Sequence, residues 1–257
     1  MLLTIDVGNT QTVIGVFDGD ELVDHWRVGT DARRTADELA LTLQGFLALR
    51  GTDIETEITG VAVASVVPAL THSLREMTQR YFRQRTVIVE PGVKTGVPIL
   101  TDNPREVGAD RIVNALAAHH LYGGPAIVVD FGTSTNFDVV SERGEFIGGA
   151  LAPGVEISID ALASRGAQLR KVEIARPRSV IGKNTVECLQ SGILYGFAGQ
   201  IDGILERMIK ELGQPAKVIA TGGLAPLIIS ECSFVDVHEP WLTLVGLRLV
   251  YERNATD

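Results

Sequence analysis

The sequence predicts an α/β protein in which one strand–turn–strand unit occurs twice. In the first copy a short apolar strand ends at Asp6, and Gly8 begins a polar turn. The second copy lies in residues 126–140, where Asp130 and Gly132 hold the same two places. Both strands are apolar and rich in β-branched residues, which favours buried strands. Two such units half a chain apart indicate a duplicated fold with a site between the copies.

The N-terminal half is predicted to begin with an antiparallel meander and to continue as a parallel β-α-β unit. Three apolar runs bounded by turn residues form the meander: residues 1–7, 12–17 and 21–28. A helix over residues 35–49 follows, with acids in its first turn and Gly51 after its end. The next strand, helix and strand are residues 60–67, 70–82 and 86–90.

The region between the two copies is predicted to hold a helix that contains the domain boundary. Asn103 and Pro104 match the cap and the first position of a helix, and helical spacing continues to about Tyr122. We expect the boundary near the middle of this helix. It would separate an N-terminal lobe, residues 1–112, from a C-terminal lobe, residues 113–257.

The C-terminal half is predicted to end in helices around one last buried strand, with a terminal amphipathic helix over residues 242–251. Its longest helical pattern runs from Asn184 to Leu212. Four glycines in this pattern form one stripe: Gly192, Gly196, Gly199 and Gly203. Each glycine costs about 1 kcal/mol relative to alanine inside a helix, which is tolerable where another backbone approaches closely. That backbone could belong to the same chain or to a second subunit.

Composition excludes several classes of function. Hydrophobic residues make up 45% and charged residues 21% of the 257 residues, as in ordinary globular proteins with a sizeable core. The net charge of −9 argues against non-specific nucleic-acid binding, which requires a basic surface. No apolar run reaches the roughly 18 residues of a membrane span, and the N-terminus lacks the basic region of a signal peptide. Cys188 and Cys232 lack metal-ligand spacing and are expected to be buried in a cytosolic protein.

The two Asp-x-Gly turns are the strongest chemical signal in the sequence. Backbone N–H groups reach a phosphate where glycine permits a close approach, and hydroxyl or amide side chains complete the cradle. Asp6 and Asp130 would repel a phosphate directly, so each is expected to act through a cation or a water molecule. One such turn alone would most often be an ordinary hairpin. Two copies in register favour a phosphate site.

Several motifs resemble those of known kinases. Three are similar to the phosphate and adenosine motifs of the actin-like ATPase and sugar-kinase superfamily: DVGNTQTV at residues 6–13, DFGTST at residues 130–135 and ATGG at residues 220–223. Two more resemble the type III pantothenate kinase family: NPREVGADR at residues 103–111 and GKNT at residues 182–185. The likeness covers nearly the whole chain. It implies a duplicated actin-like ATPase fold, of the ribonuclease H-like type, with two lobes and a nucleotide cleft between them.

The family resemblance also implies an activity. Members transfer the γ-phosphoryl group of ATP to the 4′-hydroxyl of pantothenate, in the first step of coenzyme A biosynthesis. The implied cofactors are ATP, Mg²⁺ and a monovalent cation, either K⁺ or NH₄⁺. A homodimer is implied as well.

The resemblance assigns roles to individual residues. The implied ATP contacts are Asp6, Val7, Gly8, Asn9, Thr10, Gln11, Thr12, Val13 and Thr133. The implied pantothenate contacts are Gly108, Ala109, Asp110, Arg111 and Thr185, the last across a dimer interface. Asp6 would face the Mg²⁺ shell and Asp130 would bind the monovalent cation.

Asp110 is the expected catalytic residue. In phosphoryl transfer the protein mainly aligns the reactants and stabilises charge. A carboxylate near the attacking hydroxyl can orient it and accept its proton, while Arg111 could form a bidentate contact with the substrate carboxylate. Without the family resemblance, the residues themselves favour a solvated Asp–Arg pair at a helix start.

One position departs from the family pattern, and three alternative functions stay open. Many members carry a tyrosine where this chain has Thr101, so we expect a different pocket wall. The alternatives are a kinase for another small hydroxyl or carboxylate substrate, a non-catalytic nucleotide-binding regulatory protein, and a chaperone-like or filament-forming ATPase. The joint presence of Asp6, Asp110 and Asp130 argues against the second, and the short chain argues against the third.

Overall fold

The computed structural model describes residues 1–82, 84–166 and 172–255 and divides into two compact units. Unit 1 combines Met1–Ala117 with Leu242–Asp257, and unit 2 is Ala118–Trp241. Each unit contains one five-stranded sheet.

Unit 1 follows the predicted meander and β-α-β order. Its strands are β1 (Leu2–Val7), β2 (Gln11–Asp18), β3 (Glu21–Gly29), β4 (Gly60–Ser65) and β5 (Arg85–Ile88). Its first two helices are α1 (Ala36–Leu49) and α2 (Pro68–Tyr81). The sheet order is β3-β2-β1-β4-β5, with β1, β2 and β3 antiparallel and β1, β4 and β5 parallel.

The core of unit 1 lies between the sheet and the helices α1 and α2. Alternate residues of β1 are buried in one cluster with leucines of both helices: Leu3, Ile5 and Val7 with Leu43, Leu47, Leu70 and Leu74. Each fully buried side chain of this size contributes about 1.5–3 kcal/mol. Helix α1 begins with a capping box, in which Thr35 Oγ1 accepts from Glu38 N and Thr35 N donates to Glu38 Oε2.

The helix that follows β5 in the chain starts later than predicted. Pro104–Glu106 form a single 3₁₀ turn, Val107 is extended, and α3 spans Ala109–Tyr122. The side chain of Asn103 donates to Glu106 Oε1 at 2.7 Å and does not cap the helix. Gly108 takes the cap position instead, because its carbonyl accepts from Ile112 N at 3.2 Å. Asp110 therefore lies in the first turn of α3.

Unit 2 repeats the sheet of unit 1, as the duplicated motif predicts. Its strands are β6 (Ala126–Phe131), β7 (Ser134–Val140), β8 (Phe146–Pro153), β9 (Lys217–Thr221) and β10 (Val237–His238). Its helices are α4 (Val155–Arg165), α5 (Thr185–Leu212) and α6 (Ala225–Ile228), and α3 ends in this unit. The order β8-β7-β6-β9-β10 has the antiparallel and parallel pairs of unit 1 in the same places. The short strand β10 was not predicted.

The C-terminal helix α7 (Leu242–Ala255) packs in unit 1, although the predicted lobes place it with the second half. The buried guanidinium of Arg248 pairs with Asp20 and Glu252. Near the end of the helix, Asn254 Nδ2 donates to the carbonyl of Lys94 at 3.0 Å. An amphipathic pattern predicts a buried face but does not say which sheet covers it. The predicted boundary near residue 112 and the observed break after residue 117 both lie in α3.

The glycine stripe of α5 is not a site of close packing within the described part of the chain. A Cβ built at Gly192, Gly196 or Gly199 would have no neighbour within 4 Å. At Gly203 it would meet only Arg207 of the same helix, at 3.3 Å. The structure therefore contradicts the same-chain interpretation of the stripe.

Two further expectations concern the membrane and the cysteines. Within residues 1–82, 84–166 and 172–255, no helix has the length and apolar character to cross a membrane. Cys188 is exposed, so its expected burial is wrong. Cys232 is half-buried, and burial raises the pKa of its thiol to about 12.

Candidate active site

The first Asp-x-Gly turn joins β1 to β2 in unit 1. Asp6 pairs with Val13 across the antiparallel ladder, and Gly8 N donates to the carbonyl of Gln11 at 3.0 Å, which closes the turn. The residues at its tip are exposed: Asn9, Thr10 and Gln11. A tight turn that presents its backbone, an amide and a hydroxyl to solvent has the chemistry of a phosphate cradle.

A residue outside the motif holds this turn in place. Thr30, just after β3, donates from Oγ1 to the carbonyl of Gly8 at 2.8 Å and lies 2.9 Å from Thr12 Oγ1. Its N–H donates to the carbonyl of Thr10 at 3.0 Å. Thr30 could not be predicted from the sequence, because no motif links it to a turn that lies about 20 residues earlier in the chain.

The second part of unit 1's site is the start of α3. Asp110 Oδ1 is buried and has no hydrogen-bond partner within the described part of the chain. Burial raises the pKa of the Asp110 carboxyl, while the backbone N–H and the guanidinium of Arg111 lower it by less. Asp110 is therefore not the solvated surface residue that the residues alone favour. A Cβ at Gly108 would overlap Asp110 Oδ1, so any other residue at that position would push this carboxylate aside.

Val66 connects Asp110 to the phosphate-type turn. Its N–H donates to the carbonyl of Val7 at 3.0 Å, directly before the glycine of the turn. Its Cγ1 lies 3.7 Å from the point where a Cβ at Gly108 would be. Unit 1 thus brings the Asp6 turn and the Asp110 carboxylate to the carboxyl ends of the parallel strands β1 and β4. Ligands bind at this edge in open α/β sheets.

The second Asp-x-Gly turn, in unit 2, is enclosed by glycines from other segments. Gly154 N donates to the carbonyl of Thr133 at 3.2 Å, and a Cβ at Gly154 would lie 2.6 Å from the carbonyl oxygen of Gly132. Gly222 of the ATGG motif has a φ of +93°, and its Cβ would lie 2.7 Å from Asp130 Oδ1. The DFGTST and ATGG motifs therefore meet at Asp130, where the backbone of Gly222 packs against the turn.

Thr185 is the first residue of α5 and is exposed. Asn184 caps this helix, because its Oδ1 accepts from Glu187 N at 3.0 Å. Glu187 also accepts from Lys183 N at 3.2 Å and pairs with Arg178 at 2.5 Å. These contacts hold the GKNT segment and present the Thr185 side chain to solvent.

Two further observations concern Thr101, where many family members carry a tyrosine, and side chains that could bind a metal ion. Thr101 Oγ1 is buried and accepts or donates no hydrogen bond to any described residue. Among residues 1–82, 84–166 and 172–255, no cluster of three or more His, Cys, Asp or Glu side chains could bind a metal ion. The Asp6 and Asp130 carboxylates nevertheless offer the oxygen donors that hard cations prefer.

Sequence comparison assigns the family. The sequence model of type III pantothenate kinase matches residues 2–207 of this chain. The chain belongs to the type III pantothenate kinase family. A member from Streptomyces griseus is 65% identical over 263 residues, covering 100% of this chain and 99% of that protein. A member from Acidothermus cellulolyticus is 66% identical over 259 residues, and the alignment covers 100% of both chains. Because its family and these relatives are kinases, the chain is a kinase, as the motifs predicted.

Structural comparison confirms the fold. The ROK hexokinase from Thermus thermophilus matches with a TM-score of 0.56 and 16% identity, covering 98% of this chain and 99% of that chain. At this identity the likeness shows the fold alone. Together with the two equivalent sheets, it confirms the predicted duplicated actin-like ATPase class.

Proposed function

We propose that this chain transfers the γ-phosphoryl group of ATP to the 4′-hydroxyl of pantothenate, the first step of coenzyme A biosynthesis. One observation carries the proposal: the buried, unpartnered Oδ1 of Asp110 lies at the same sheet edge as the exposed turn of residues 9–11. A kinase needs a proton acceptor near the attacking hydroxyl and a cradle for the phosphates. The named activity of the relatives supports this reading.

Asp110 is proposed to orient the acceptor hydroxyl and accept its proton. Its raised pKa supports the role, because a carboxylate of higher pKa is a stronger base while it is still ionised near neutral pH. Arg111 is proposed to bind the carboxylate of pantothenate, with Gly108 and Ala109 supplying backbone contacts. Glycine at position 108 keeps Oδ1 of Asp110 uncovered.

Residues 6–13 are proposed to bind the phosphates of ATP. The exposed tip of the turn supports this, and Asp6 would hold the water shell of Mg²⁺. When bound, Mg²⁺ neutralises charge that develops on the phosphate oxygens. In unit 2, Thr133 is proposed to contact ATP, and Asp130 is proposed to bind K⁺ or NH₄⁺, because its carboxylate offers the oxygen donors that such cations prefer.

A homodimer in the cytoplasm, where ATP is available, completes the proposal. Thr185 is proposed to contact the pantothenate bound to a second subunit. The exposed glycines of α5 support a subunit interface, because a second helix can approach a glycine stripe closely. Light scattering should give twice the monomer mass; a fully active monomer would contradict the shared pocket.

A coupled ADP-release assay tests the activity. In potassium buffer with Mg²⁺ and ATP, we expect ADP release that depends on pantothenate. Glycerol, acetate and simple sugars should support only the background rate. Equal rates with one of those acceptors would favour a kinase for another substrate, and ATP binding without turnover would favour a regulatory protein.

A further inference from the structure

Thr30 occupies a position between the phosphate-type turn and the end of β3. Its hydroxyl contacts the carbonyl of Gly8 and the hydroxyl of Thr12, and its N–H donates to the carbonyl of Thr10. We propose that Thr30 is a positioning residue for ATP, which holds the first phosphate-binding turn in its binding-competent shape. The inference rests on the proposed function, because it assumes that this turn binds phosphates.

The direction of the hydrogen bonds follows from the chemistry of the hydroxyl group. Thr30 Oγ1 carries one proton, and it donates that proton to the carbonyl of Gly8 at 2.8 Å. In the 2.9 Å contact with Thr12, the donor must therefore be Thr12 Oγ1. The result is a chain of two hydrogen bonds from Thr12 through Thr30 to Gly8, which fixes the hydroxyl rotors of both threonines.

The same contacts control where the carbonyl oxygens of the turn point. Thr30 engages the Gly8 carbonyl with its hydroxyl and the Thr10 carbonyl with its N–H, at 2.8 and 3.0 Å. Both oxygens are partial negative charges that would repel a phosphate. Because Thr30 holds them toward the end of β3, they are kept from turning into the space that a phosphate would occupy.

The turn receives contacts from Thr30 that are partly shielded from water. Its tip, residues 9–11, is exposed, and within the turn Gly8 N donates to Gln11 O. The Arg27 contact with Gln11 Oε1 at 2.8 Å is exposed to solvent, and exposed contacts contribute little. The Thr30 hydroxyl contacts, by contrast, are partly buried.

The test compares Thr30→Val with a matched control, Thr59→Val. Valine keeps the shape of threonine but leaves the Gly8 carbonyl and the Thr12 hydroxyl without their partner. Thr59 makes the same two kinds of contact, from N and Oγ1 to the carbonyl of Met1 at 2.8 and 3.1 Å, at the opposite end of β1. Any general effect of replacing threonine by valine should therefore appear in both variants.

We expect Thr30→Val to raise the KM for ATP about tenfold, the size of effect that follows from losing a hydrogen bond to a partly buried carbonyl. The KM for pantothenate should change by less than about twofold, and the rise in melting temperature caused by ATP should shrink. Thr30→Ser, which keeps the hydroxyl, should restore the KM for ATP to within about threefold of the wild type. Thr59→Val should match the wild type in all of these measurements.

The outcomes separate this inference from the proposed function. A wild-type protein that ATP does not stabilise would overturn both. If ATP stabilises the wild type and Thr30→Val to the same extent, the positioning role is wrong while the kinase proposal stands. Equal rises in the KM for ATP and for pantothenate would also contradict it, because they would indicate a general structural defect. If Thr30→Val folds poorly, Thr30→Ala removes the hydroxyl without placing a methyl group against the Gly8 carbonyl and answers the same question.

Discussion

The two Asp-x-Gly turns share a sequence pattern and a place in equivalent sheets, but different groups hold them. In unit 1 the turn has an exposed tip, and a threonine side chain from outside the motif fixes its carbonyls. In unit 2 the backbones of Gly154 and Gly222 press directly on the turn. The first turn depends on a hydroxyl group, and the second depends on the absence of side chains.

This difference shows that duplication preserved the strand order more closely than the support of the loops. Strand order is determined by the buried apolar face, which both units retain. Loop support depends on a few contacts with segments that differ between the copies. Equivalent positions in the two turns should therefore respond differently to substitution.

The largest expected effect is on kcat and comes from Asp110, the proposed catalytic residue in unit 1. Asp110→Asn should lower kcat by about 10²–10⁴-fold, because an amide cannot accept the proton. ATP should still raise the melting temperature, since the phosphate turn is intact. A kcat within about twofold of the wild type would remove the proposed role of Asp110.

The raised pKa of Asp110 predicts that Asp110→Asn, which lowers activity, does not lower stability. Burial favours the protonated form in the folded state, so the favourable contribution is present at low pH and is lost as the pH rises through the raised pKa. At neutral pH, Asp110→Asn removes the free-energy cost of burying an ionised carboxylate. The melting temperature should therefore be unchanged or higher. As the pH is lowered, kcat/KM of the wild type should begin to fall at a pH above the usual pKa range of aspartate. Residual activity of Asp110→Asn should not show this acid-side fall.

The second-largest effect contrasts the supports of the two turns. Gly154→Ala should destabilise the protein by about 3 kcal/mol, because its Cβ would overlap backbone atoms that cannot move aside easily. Gly8→Ala should cost less than about 1 kcal/mol, since its Cβ would meet only Gln11 O, at 3.0 Å. Gly45→Ala is the control, as this helical glycine has open space around it and should stabilise α1 by about 1 kcal/mol. Thermal melting gives the order, and similar losses at positions 8 and 154 would show that the turns are held alike.

The smallest effect concerns the cation proposed for unit 2. Replacing K⁺ with Na⁺ at equal ionic strength should lower kcat severalfold, and Asp130→Asn should abolish that difference between the two salts. Asp6→Asn, in the other turn, should lower activity while keeping the preference for K⁺. Equal wild-type rates in both salts would contradict the assignment of Asp130.

Local signals in the sequence predicted most of the fold. The apolar strands and the helix over residues 35–49 are encoded by neighbouring residues, so they could be recognised without tertiary contacts. The start of α3 could not be recognised in this way. Asn103 and Pro104 have the composition of a helix start, but the actual start at Ala109 depends on the packing of Gly108 against Asp110 and Val66.

The site was predictable to the extent that it is carried by motifs. The two turns were proposed from residues that are close together in the sequence, and Asp110 was proposed from the resemblance of its motif to the family. Thr30 was not, because one threonine after a strand has no pattern of its own, and its role appears only when it contacts Gly8 and Thr12. The burial of Asp110 Oδ1 likewise depends on tertiary packing, which the neighbouring residues in the sequence do not reveal.

The location of α7 has a consequence for how the protein is made. Unit 1 requires the last helix of the chain, whose Leu244 and Tyr251 lie against Gly15 and Gly60 of the sheet, whereas unit 2 is a continuous segment. We therefore expect that, during translation, residues 1–117 complete their folding after residues 118–241, once α7 has left the ribosome. In a chain stopped after Trp241, limited proteolysis should cut residues 1–117 before residues 118–241, and the reverse order would contradict this sequence of events.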